Sequence, residues 1–159
     1  MSTELRSPLL DEVLVAHGGL GLWQRCERID AHLSFGGLAF AARMKRKAYL
    51  DRVVAIFPHT RKVRLTPFPA SGQLGQWTPQ CVCILRDDGS VVQERLAPRK
   101  SFGRILRQFR WDGLDLLYFA GYALWNYLSF PFLLTEPGVE VQESSPRECQ
   151  RFSLTELRG

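Results

Sequence analysis

The chain opens on a helical rhythm, turns to strict alternation through its middle, and then enters one long apolar run. After Ser7-Pro8, the apolar residues Leu9, Leu10, Val13 and Leu14 recur at helical spacing, with Asp11 and Glu12 in the first turn, so a helix is expected there. Gly18-Gly19 interrupts it, and a second short helix is expected from Leu20 to Arg28 with Leu22, Trp23 and Cys26 as its buried stripe. The period then falls to two. Ile29, Ala31, Leu33 and Phe35 alternate with Asp30, His32 and Ser34, the mark of a half-buried strand over 29–35.

Gly36-Gly37 reads as a hairpin turn into a strand over 38–46, which places Leu38, Phe40, Ala42 and Met44 on one face. Further strands are expected over 48–57, ending at Pro58, and over 62–67, with Val63 and Leu65 inward. Residues 67–79, rich in Pro and Gly, read as a loop long enough to form a binding lip or lid. Strands over 80–86 and 90–96 flank the turn Asp87-Asp88-Gly89-Ser90. Ser101 to Arg110 reads as an amphipathic basic helix, and 112–129 as a helix packed on the concave face of the sheet. The fold class predicted is α+β: a curved antiparallel sheet, an incomplete barrel, with N-terminal helices and one apolar helix. One domain spans 1–143, and the polar stretch 144–159 is an irregular tail.

Leu116 to Thr135 gives twenty consecutive positions without a charge. Three placements compete for such a segment: inside the fold, across a bilayer, or against a partner or membrane surface. Its length suffices for a span, and the basic run before it fits a cytoplasmic N-terminal side. However, Asn126 would stand near mid-membrane, and Tyr118, Tyr122, Trp125 and Tyr127 are spread along the segment instead of gathering at its ends. Gly121 and Pro131 also shorten a regular helix. These features suit a helix laid across a sheet, where phenol and amide groups find partners.

Charge sharpens the picture. The formal net charge of +5 is unevenly placed: residues 43–110 hold fifteen Lys/Arg against four Asp/Glu, between two acidic ends. A local field of this kind draws anionic partners, with lipid headgroups, nucleic acid and acidic proteins all fitting, while a solvated sheet face explains the same residues without any partner. Peripheral contact with an anionic membrane is expected through Arg99, Lys100, Arg104 and Arg107. Nucleic acid is the weaker reading, since neither RNA-recognition nor zinc-finger patterns occur. The first residues carry acids where a signal peptide needs bases, and Cys26, Cys81, Cys83 and Cys149 have no framework spacing. A cytoplasmic location with reduced thiols is the corresponding expectation.

Candidate chemistry is thin. His17-Gly18-Gly19-Leu20-Gly21 looks like the glycine-rich oxyanion strand of lipases, but the nucleophile motif that must accompany it is missing. His17, His32 and His59 are isolated from each other and from Cys81 and Cys83, so no metal spacing arises. No phosphate-loop or dinucleotide fingerprint occurs. The sequence makes no case for an enzyme, a cofactor or a metal.

Ala16–Trp23 (AHGGLGLW) with Ile29–Gly37 (IDAHLSFGG), and the longer blocks Arg52–Pro69, Ala97–Phe102 and Trp111–Leu134, make the chain resemble a group of uncharacterised bacterial proteins. That group in turn resembles the lipoprotein-localisation-factor (LolA/LolB-like) superfamily, and the resemblance covers Leu9 to Glu143. It implies an unclosed antiparallel barrel whose concave face, plugged by helices, accepts acyl chains. Related carriers are exported, and related sequences continue past the position of Gly159 with further strands. A truncated form is therefore expected, with its last strand edge exposed and homo-oligomers forming through it.

The functional expectation is a non-catalytic binding or carrier module for a hydrophobic ligand such as a lipid or acyl chain. Its alternatives are a membrane-associated or protein-interaction module using 116–135, and a basic nucleic-acid-binding domain. The expected ligand site is the inward row Leu33, Phe35, Phe40, Ala42 and Val54 facing Tyr118, Tyr122 and Trp125, with Trp77 on the loop above its mouth. The same spacings fit a filled core with no cavity.

Overall fold

The structure is a computed structural model that describes residues 7–34, 51–102 and 111–143. Helix α1, Pro8–Ala16, starts where Ser7 accepts the Leu10 amide on its side-chain oxygen and proline takes the first helical position. Helix α2, Gly19–Arg25, follows Gly18, whose φ of +93° is open to glycine alone without strain. The sequence expectation for α2 is half right. Trp23 packs inward with Leu20, but Leu22 is exposed because it folds back over Gly18, and Cys26 lies past the helix end.

Six strands form one open antiparallel meander in chain order: β1 Ile29–Leu33, β2 Arg52–Phe57, β3 Lys62–Thr66, β4 Gln73–Trp77, β5 Cys81–Arg86 and β6 Val91–Leu96. The molecule is thus α+β with an open curved sheet. Register fixes which side chains share a face: Ile29 stands opposite Ile56, Val54 opposite Leu65, Val63 opposite Trp77, and Gly75 opposite Ile84. These residues turn toward one layer and make the main core.

Two expectations need correction or fall aside. Residues 67–79 are not one loop, because β4 lies within them and pairs with both β3 and β5. The strand expected over 38–46 lies outside the described residues; among those described, β1 pairs with β2.

A short helix α3, Pro98–Phe102, leads toward α4, Gly113–Ser129. Helix α4 begins with a reciprocal cap: the Asp112 carboxylate accepts the Asp115 amide, and the Asp115 carboxylate accepts the Asp112 amide. It lies across β2 to β6 on the apolar face of the sheet. Beyond it, a 3-10 turn at Phe132–Thr135 carries Phe132 onto Trp23, the rings stacking at 4.4 Å and 6°, and closes a smaller cluster with Leu10 and Leu14. Among the described residues, no helix is long and apolar enough to cross a membrane.

Candidate functional site

The residues expected to line a ligand site divide into an inner and an outer set. Val54, Trp77 and Trp125 are buried in the same core, with Leu33 half-buried at its margin. Trp77 sits on β4, not on a loop above a mouth, and its ring lies 6.4 Å from that of Trp125. Between helix and sheet there is little space to share. A β-carbon on Gly121 would stand 2.4 Å from Cβ and Cγ of Trp77, and one on Gly75 would stand 2.6 Å from Leu117 Cδ1 and 2.7 Å from Phe68 Cδ1. At these two crossings the layers touch so closely that not even a methyl group fits. Phe35, Phe40 and Ala42 lie outside the described residues.

The outer set faces the other way. Tyr122 is 54 % exposed, Tyr127 76 % and Phe130 55 %, while Tyr118 is half-buried and stacks on Tyr122 at 6.4 Å and 19°. Phe119 is also half-buried and meets Trp111 at 5.1 Å. Positions 119, 122, 123, 126, 127 and 130 share the side of α4 opposite the sheet by helical geometry. Their only side-chain amide, Asn126, donates to the Tyr122 carbonyl at 2.7 Å. Burial pushes the Tyr118 phenol up from its ordinary range, partly opposed by the charge of Arg99. The hydroxyl therefore stays protonated.

A solvated helix ordinarily carries charges on its outer side. This one carries none between Asp115 and Glu136. Sequence reasoning placed Tyr122 on the inner wall and passed over Tyr127 and Phe130. The signal that could have found them is the apolar run itself, which is apolar all round the helix, whereas one sheet covers only one side.

The ionisable groups near the helix are committed to structure. Arg95, from the core-facing side of β6, donates to Asp115 Oδ1 at 2.7 Å and to Asp112 Oδ2 at 2.5 Å. Asp115 is only 2 % exposed, so the guanidinium supplies the counter-charge its burial requires. Cys81 and Cys83 share the outer face of β5. Burial, then a hydrogen bond to Glu94 at 3.3 Å, pushes the Cys81 thiol up to about 12, far from a reactive thiolate. Among the described residues, no three His, Cys, Asp or Glu gather as a metal site.

Arg99 and Lys100 are exposed on α3, and Arg104 and Arg107 lie outside the described residues. A cleft of about 580 Å³ lies elsewhere, between Ser7, Leu10 and residues 134–142, with Glu136 and Glu140 in its wall. Glu143 accepts the Leu9 amide and the Ser7 hydroxyl beside it, tying this segment to the start of α1.

No family model, curated protein or solved structure matches this chain.

Proposed function

We propose that the chain is a binding module that takes an apolar ligand, the acyl chain of a lipid, on the outward aromatic side of α4. One observation carries this reading: Tyr122, Tyr127 and, just past the helix end, Phe130 are exposed on a stretch that has no charge between Asp115 and Glu136. Contiguous exposed apolar surface of this kind marks contact sites for ligands, membranes or proteins. The inner row of Val54, Trp77 and Trp125 holds the helix rigidly, which keeps the outer face pre-organised at little entropic cost on binding.

The test is titration of the purified protein with an environment-sensitive fatty-acid probe, alongside native mass spectrometry before and after organic extraction. Tyr127→Ser combined with Phe130→Ser should weaken the probe without unfolding the protein. Binding should persist at high salt, because burial of apolar surface is its main term. A wild-type protein that binds no probe and releases no lipid would end the proposal.

A second reading has its own observation. The outer edge of β6 has no strand beside it among the described residues, and Val91 and Leu96 on it are exposed. Edge pairing with a partner strand would use that feature, and dimers that form with concentration would favour it.

A further inference from the structure

On the face of the sheet turned away from α4, three cations surround one ring. Lys62 stands directly opposite Phe57 in the β2–β3 register, with its Nζ 4.3 Å from the ring centroid. Arg64 and Arg28 hold their guanidinium carbons 5.7 Å and 5.8 Å from the same centroid. The ring's electron-rich face offsets part of their mutual repulsion.

Their partners differ in a way that matters. Arg28 is neutralised by Asp30, at 2.7 Å. Arg64 is held by a neutral group: its Nε donates to Gln76 Oε1 at 2.9 Å, which aims the guanidinium without cancelling its charge. Lys62 makes no hydrogen bond or ion pair among the described residues. Glu94, in the same cross-strand row as Arg64, is three strands farther along and accepts from the Cys81 thiol. Two uncompensated cations therefore sit two residues apart on one strand face, roughly 7 Å between their backbones. That is a separation a single phosphate group bridges with a charge-assisted hydrogen bond to each side.

We infer that Lys62 and Arg64, positioned over Phe57, form a phosphate-binding site for anionic lipid headgroups at a membrane surface. Nucleic acid fits less well. Stacking a base needs an open aromatic face, and here the cations already lie over the ring. The site is on the opposite side of the sheet from the aromatic face of α4 and does not depend on it.

The experiment is flotation of the full chain with vesicles of phosphatidylcholine alone and with phosphatidylglycerol added. Wild type should float only with the anionic vesicles. Lys62→Gln with Arg64→Gln should lose roughly fivefold in affinity per charge, about thirtyfold together. The charge-keeping pair Lys62→Arg with Arg64→Lys should retain binding. Equal loss in Arg86→Gln, a cation at the far end of β5, would reduce the effect to net charge and overturn the assignment. So would failure to bind anionic vesicles, or a single-stranded oligonucleotide that binds through Lys62 and Arg64 where vesicles do not.

Discussion

Gly121 lies flat against the indole of Trp77, with the space a β-carbon would need already taken by the tryptophan's own Cβ and Cγ. Those atoms are anchored to β4 and cannot swing aside. Gly121→Ala should therefore cost about 3 kcal/mol, at the upper end for an overpacked core. Gly75→Ala meets the ends of Leu117 and Phe68, which have more freedom, and should cost less. Urea unfolding of the two variants gives the order directly.

Replacing Arg95 by Met should destabilise the protein by about 3 kcal/mol, because it leaves the Asp115 carboxylate buried without a counter-charge. Arg95→Met with Asp115→Asn should recover part of that loss. The effect has a pH signature. Burial pushes the Asp112 carboxyl up, but hydrogen bonds from Arg95 and the Asp115 amide, with the guanidinium charge, outweigh it and hold the group below its usual range. A lowered carboxyl stabilises fully above its unfolded value, near pH 4, and that stability fades as pH falls through the folded value. Acid unfolding of wild type should show this limb, and Arg95→Met should flatten it.

Inner and outer aromatics of α4 should separate cleanly in stability measurements. Trp125→Ala should cost about 3–5 kcal/mol, as loss of a buried large side chain does. Tyr127→Ser should stay within about 0.5 kcal/mol of wild type, since it leaves no cavity. A large loss at Tyr127 would mean that the outward face is packed in solution.

Ala97 follows β6 with φ of +46°, a left-handed conformation that strains any residue with a β-carbon. Its amide donates to the Gln80 carbonyl at 2.8 Å, which holds it there. Ala97→Gly should relieve the strain and raise stability by up to about 1 kcal/mol, net of the extra freedom glycine gives the unfolded chain. A rise in thermal midpoint is the expected readout.

Alternation made β1 and β3 legible, because each sets an apolar row, Ile29, Ala31 and Leu33 or Val63 and Leu65, against a polar one; β2 was legible from the Pro58 that ends it, and β5 and β6 from the turn between them. Strand β4 was hidden for a physical reason. Its inward positions are Gly75 and Trp77, and the glycine carries no apolar signal because Leu117 and Phe68 occupy the space its side chain would fill. The helix was legible as an apolar run, but which aromatics faced out was not. Orientation depends on Gly121 meeting Trp77, a contact between residues far apart in the chain. The sequence set Phe57 near Lys62 and Arg64 along the chain, and the register then showed Lys62 lying over that ring.

Arg95 joins the last strand of the sheet to the first turn of the helix. Peeling β6 from β5 would pull the guanidinium off Asp115 and leave a charge in the apolar layer, so the strand and the helix start have no cheap way to open separately. They form one cooperative opening unit, and slow amide exchange in the first turn of α4 is tied to the same rare event that frees the edge. An edge strand, ordinarily the first part of a sheet to fray, is here fastened by the interior of the molecule.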